Sequence, residues 1–139
     1  MPGLIGVVQV TEAISSTYEV FCGVSEGNPS ADDDADEITP AALAARLARG
    51  DAPVLLDVRE PHEWAIARLP RARLLPLNDL PDALDTLVRS DEIVVYCHHG
   101  LRSAAAVDWL REQGFERARN LVGGIDRWTR DVDPSMPRY

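Results

Sequence analysis

The sequence predicts an α/β fold, a mainly parallel sheet with helices on both faces, and three observations carry that prediction. Short apolar runs at 54–58, 73–77, 93–96 and 118–122 do not alternate apolar with polar side chains, which is the pattern of strands covered on both sides. Segments with helical spacing lie between them, so the chain reads strand, helix, strand. Finally, 139 residues at 45% hydrophobic are enough for one domain with a real core and too few for two full catalytic domains.

Each element has its own local reason. Ile38 begins a short extra strand. Thr39 as N-cap, Pro40 at the first helical position, Leu43 and Leu47 four apart and Gly50 as a stop define the first helix. The strand at 54–58 follows, then the one at 73–77. Pro81 opens a helix over 82–89. The strand at 93–96 leads through a loop to a helix over 103–113, which Gly114 closes. That helix puts Ala106, Val107 and Leu110 on one face and Asp108, Arg111 and Glu112 on the other. The last strand is 118–122, and Trp64, Trp109 and Trp128 read as core or edge packing.

Upstream of Ile38 the composition changes. Residues 25–36 are polar and acidic, with too few large apolar groups to offset the entropy of ordering, and read as an acidic linker. Residues 1–24 contain apolar runs but are too short to form a core, and read as a poorly ordered piece of something larger. The folded domain is expected at 37–139.

Charge and residue usage exclude several functions. Nearly all of the net charge of -9 lies in the first 40 residues, which hold eight acids and no base; the remainder sets 15 acids against 14 arginines. Neither part offers the basic face that nucleic acid requires. No lysine occurs, which excludes lysine Schiff-base chemistry and a P-loop lysine. No apolar run is long enough to span a bilayer, and the amino terminus has neither basic residues nor a cleavage site of the secretory type, so a cytoplasmic location is expected. The two cysteines, Cys22 and Cys97, are expected to be free thiols.

The segment from Cys97 to Ser103 stands apart. A buried strand ends at Cys97, a loop of His98, His99, Gly100 and Leu101 follows, Arg102 closes it, and a helix starts near Ser103. A thiol there faces the unpaired N–H groups and positive dipole end of a helix, both of which favour an anion. An ordinary thiol is only ~3% ionised at pH 7, so such stabilisation makes a nucleophile. An inert core cysteine is the alternative, although core cysteines seldom precede so polar a loop. A reactive thiol also has to be open to solvent and turned toward those amides. As a metal site Cys97, His98 and His99 are poor, because adjacent side chains diverge and no second cluster exists; no metal is expected.

From about Glu37 to Tyr139 the chain resembles a rhodanese-like sulfurtransferase domain. The matching pieces are Leu55-Leu56-Asp57-Val58-Arg59-Glu60-Pro61-His62-Glu63-Trp64, Leu69-Pro70 with Leu75-Pro76-Leu77, the loop Cys97 to Arg102, and Asn120-Leu121-Val122-Gly123-Gly124-Ile125 with Trp128. The resemblance implies about five strands, no cofactor, and sulfur carried as a persulfide on Cys97. Arg102 would hold the persulfide or pin the loop through its carbonyls. Gly100, Leu101 and Ser103 would line the substrate, outward-pointing His98 and His99 would shape donor access, and Asp57 and Arg59 would anchor a neighbouring strand end. The stretch Ala67-Arg68-Leu69-Pro70-Arg71-Ala72 departs from the family's Gly-His-Ile-Pro-Gly-Ala, which puts the local turn in question.

Two rival classes remain. Cysteine phosphatases and arsenate reductases have a similar loop with five residues between cysteine and arginine, whereas four separate Cys97 from Arg102. The tighter ring suits one sulfur atom better than a tetrahedral phosphate. A non-catalytic interaction module of this fold would often lack the cysteine. The opening 2–14, the connector 18–24 and the closing 131–139 resemble adenylyltransferase/sulfurtransferase fusions, with most of the adenylyltransferase domain missing. Such fusions imply a thiosulfate or cysteine-desulfurase donor and, as acceptor, a small ubiquitin-like sulfur carrier protein serving molybdenum cofactor, thiamine or related synthesis.

Overall fold

A computed structural model describes residues 36–139. The expectations for residues 1–35, including Cys22, lie outside the described residues. Five parallel strands form one sheet: β1 (Glu37–Ile38), β2 (Val54–Asp57), β3 (Arg73–Leu74), β4 (Ile93–Tyr96) and β5 (Ala118–Leu121), in the order β1-β5-β4-β2-β3. Helices α1 (Pro40–Ala48), α2 (Pro61–Ile66), α3 (Leu101–Glu112) and α4 (Gly124–Asp131) complete the expected α/β fold. None of the helices described is long and apolar enough to cross a membrane.

The unalternating apolar strands have the anticipated cause. Successive residues of β4 enter different cores: Ile93 and Val95 pack with Ala106, Val107 and Leu110 of α3, whereas Val94 and Tyr96 pack with Leu43 of α1 and with Ile125 and Trp128 of α4. Leu55 and Leu56 of β2 divide in the same way. A strand buried on both faces has no polar side to show. The caps of α1 also match the sequence reading, with Thr39 Oγ1 accepting the Ala42 N–H at 3.2 Å and Gly50 at φ +80° past the helix end.

Three elements differ from expectation. The helix predicted at 82–89 is instead a pair of 3-10 turns, Leu77–Asp79 and Pro81–Thr86. Leu77, Leu80 and Ala83 recur every three residues, which suits three residues per turn, and Leu80 N–H to Leu77 and Ala83 N–H to Leu80 bonds of 3.2 Å follow that spacing. The strand expected over 73–77 is regular only to Leu74, although the Leu75 and Leu77 N–H groups still donate to the Asp57 and Val58 carbonyls at 2.7 and 3.1 Å; Pro76 lies between them on the open side of this edge strand, where no N–H is needed. Finally, α2 and α4 have no counterpart in the sequence reading. Glu60 and Glu63 around Pro61 were the signal for α2: the Glu60 N–H donates to Glu63 Oε2 at 3.0 Å, the returning half of a capping box.

The sheet order places the site. After β2 the chain moves outward to β3; after β4, the neighbour of β2, it moves the other way to β5. The carboxyl ends of β2 and β4 therefore border the crevice where open parallel sheets hold ligands. Asp57 closes one of these strands and Cys97 follows the other.

Candidate active site

Cys97 Sγ faces three donors. The Gly100 N–H lies 3.1 Å away, the Ser103 N–H 3.4 Å and the Ser103 hydroxyl 3.3 Å. Gly100, at φ +103°, turns the loop into the first turn of α3, which begins at Leu101 rather than near Ser103. The sulfur thus meets two amides of a helix start, a smaller set than a full ring of loop N–H groups. It is also more enclosed than the expectation of an open thiol, since Cys97 is 1% exposed. A reaction at Sγ requires the His98–Leu101 backbone to admit a terminal sulfur.

A second motif holds the loop from behind. The Ile125 and Asp126 N–H groups at the start of α4 donate to the Cys97 and His98 carbonyls at 2.9 and 3.0 Å. Gly124, at φ +62°, makes that approach possible, because a Cβ there would collide with both carbonyls. Asn120 locks the other flank: its Nδ2 donates to the Gly100 carbonyl at 3.2 Å and its Oδ1 takes the Ser103 hydroxyl at 2.5 Å.

The charged groups pair among themselves. Arg102 gives Nη1 to Glu63 Oε2 at 2.8 Å and Nη2 to Oε1 at 2.9 Å. Its guanidinium therefore rests on a carboxylate, not on the sulfur or the loop carbonyls anticipated for it. Arg102, with help from the Glu60 N–H and Tyr139 hydroxyl, holds the Glu63 carboxyl down at about 2, against the opposing effect of burial. The Tyr139 hydroxyl donates to Glu63 Oε1 at 3.0 Å and accepts from Arg59 Nη1 at 2.7 Å.

Asp57 and Arg59 form a fully buried pair, with Nη2 to Oδ2 at 2.6 Å and Nε to Oδ1 at 2.9 Å. Arg59 Nη2 also reaches the Ala67 carbonyl at 2.6 Å. Burial opposes the Arg59 charge most, but the bonds to Asp57 and Tyr139 outweigh it and raise its pKa. The pair ties the end of β2 to the chain after α2, so the anchoring expected of these residues has a definite partner in Ala67.

His98 does not point outward. Its ring lies between those of His99 and Tyr139, at centroid distances of 3.9 and 4.0 Å. Burial, then the neighbouring His99, lowers its pKa, favouring the neutral ring. His99 and Leu101 are exposed, Leu101 at 83%. The adjacent histidines thus stack instead of diverging, and their nitrogens and an Asp126 oxygen come within 4.8 Å of one another. Within that group Asp126 Oδ1 already accepts from Arg138 Nη2 at 3.0 Å.

Sequence reading missed Glu63, Asn120 and Tyr139 as site residues. The first two stood inside quoted motifs, but nothing local said what they would touch.

A cysteine in an amide cradle beyond the central strand of a parallel α/β sheet defines a protein class built around one sulfur atom. Residues 39–131 match the rhodanese-like domain, and the chain belongs to that family. It is 35% identical over 133 residues to a probable adenylyltransferase/sulfurtransferase MoeZ of Mycobacterium tuberculosis, covering 94% of this chain and 33% of that protein. It is 37% identical over 95 residues to a sulfurtransferase of Allochromatium vinosum, covering 68% of this chain and 89% of that one. The human single-domain sulfurtransferase TSTD1 superposes with TM-score 0.65 at 28% identity, covering 70% of this chain and 97% of that one. The chain therefore spans 33% of the length of MoeZ and 21% of that of the adenylyltransferase and sulfurtransferase MOCS3-1 of Zea mays.

Proposed function

We propose that this chain is a sulfurtransferase that moves sulfane sulfur through a persulfide on Cys97 to a small ubiquitin-like sulfur carrier protein. The three donors around Cys97 Sγ carry this reading. The Cys97 thiolate attacks the outer sulfur of a donor, thiosulfate or a cysteine desulfurase persulfide. The new terminal sulfur, bearing the negative charge, meets the Gly100 and Ser103 donors, which stabilise the covalent intermediate before the sulfur leaves for the acceptor. His98, His99 and Leu101 border the entrance, Arg102 shapes its charge, and Asp57 and Arg59 keep the neighbouring strand end in place.

The same observations speak against phosphate as substrate. The arginine that would clamp a tetrahedral dianion is already held by both oxygens of Glu63. The carrier protein as acceptor is supported by the likeness to adenylyltransferase/sulfurtransferases, and a cytoplasmic site of action, with no nucleic-acid partner, accompanies it.

The test uses the chain loaded with labelled sulfur, mixed with a carrier protein whose C-terminal carboxylate has been activated as an acyl-adenylate, and then treated with dithiothreitol. Label is expected on the carrier as a thiocarboxylate, and none with Cys97→Ala. A loaded chain that gives label to cyanide but never to the carrier would overturn the acceptor; a chain that takes up no sulfur and hydrolyses an aryl phosphate would overturn the reaction class.

A further inference from the structure

The charge at the cradle mouth bears on which donor is used. Arg102 is the guanidinium of the Cys97–Ser103 loop, and an uncompensated guanidinium there would favour a doubly charged donor. Glu63 prevents this. Its side chain is 8% exposed and takes four donors: both Arg102 nitrogens, the Glu60 N–H and the Tyr139 hydroxyl. The fork-to-fork pairing is the strongest geometry such an ion pair has. For Arg102 to turn toward a donor, a buried carboxylate would lose its charge partner, which is costly. The Glu63 carboxyl, held at about 2, stays ionised throughout the neutral range. His98 adds no cation, since its pKa is lowered.

We propose that Glu63 is a specificity-determining residue: by neutralising Arg102 at the cradle mouth it selects a persulfide donor, R–S–SH, over the thiosulfate dianion. The inference rests on the persulfide chemistry proposed for Cys97. In the favoured step the Cys97 thiolate forms a bond to the donor's terminal sulfur and the donor S–S bond breaks. The electron pair of that bond goes to the departing thiol sulfur, which takes the proton, leaving Cys97–S–S⁻ and R–SH. With thiosulfate the same attack releases sulfite and carries two negative charges into a mouth with no cation to spare.

Single-turnover loading of Cys97 from thiosulfate and from cysteine persulfide, compared in the native chain, Glu63→Gln, Arg102→Gln and the double variant, tests this. The native chain should load faster from the persulfide. Glu63→Gln should raise the thiosulfate-to-persulfide rate ratio about tenfold, the effect of removing one charge near a dianion in a water-like medium. Arg102→Gln should lower the ratio, and the double variant should return it toward the native value. An unchanged or reduced ratio in Glu63→Gln, or an unchanged ratio in Arg102→Gln, overturns the proposal. If Glu63→Gln fails to fold, the Arg102→Gln ratio decides. A native chain loaded by neither donor would instead overturn the persulfide reading itself.

Discussion

The Ser103 hydroxyl lies 2.5 Å from Asn120 Oδ1 and 3.3 Å from Cys97 Sγ. A hydroxyl has one hydrogen, so it cannot serve both at once. The Asn120 amide is oriented by its Nδ2 bond to the Gly100 carbonyl, and the shorter contact takes the hydrogen. The hydroxyl therefore turns its hydrogen from Asn120 to Cys97 Sγ to act as the third donor when that sulfur is an anion.

Ser103→Ala keeps the backbone amide and removes this third donor. Single-turnover sulfur loading should slow about a hundredfold, the low end for losing one donor to a developing anion, with the melting temperature little changed. An unchanged loading rate would assign the hydroxyl to packing alone.

Gly124→Ala tests the close approach behind the loop. Its Cβ would meet the Cys97 and His98 carbonyls, which are backbone and cannot swing aside, and φ +62° disfavours a side chain in addition. Urea denaturation should show a loss of more than about 2 kcal/mol. Gly50→Ala, with nothing within 4 Å of its Cβ but φ +80°, is the control and should lose about 1 kcal/mol from backbone strain alone.

Acid stability follows from Glu63. Its carboxyl titrates at about 2 in the folded chain against an ordinary 4.5, so the unfolded state takes up the proton first as pH falls. The stability it contributes is complete above pH 4.5 and is lost between there and about 2. Over that window the native chain should lose about 2–3 kcal/mol more than Glu63→Gln, measured by chemical denaturation at each pH. Parallel curves for the two proteins would show that the Arg102 pair contributes nothing net.

Arg71 sits at φ +64°, where the family's pattern has glycine. Arg71→Gly should raise stability by about 0.5–1 kcal/mol, the relief of left-handed backbone less the added chain entropy. A loss would mean that the arginine side chain contributes more than its backbone costs.

What was legible in the sequence was what lies close along the chain. Cys97, Gly100 and Ser103 fall within one turn of loop and helix start, so strand, glycine and helix signals were enough to bring them together. The Thr39 cap and the doubly buried strands were legible for the same reason. Glu63, Asn120 and Tyr139 reach the loop across the fold, and no periodicity states that a carboxylate after β2 will pair with an arginine after β4. Arg102 was accordingly identified as the loop's cation while its partner was missed. The helix expected over 82–89 is a 3-10 segment that ends at Thr86, because a proline at the first position opens either kind of helix and only packing separates them.

The central claim is that Cys97 carries sulfur. Treating the chain with a persulfide donor, cleaving after arginine and weighing the peptide that contains Cys97 tests it most directly. The account predicts a gain of one sulfur atom on that peptide, removed by cyanide or dithiothreitol and absent from Cys97→Ala. A peptide of unchanged mass, in a chain shown to be folded and to have its thiol reduced, would contradict it.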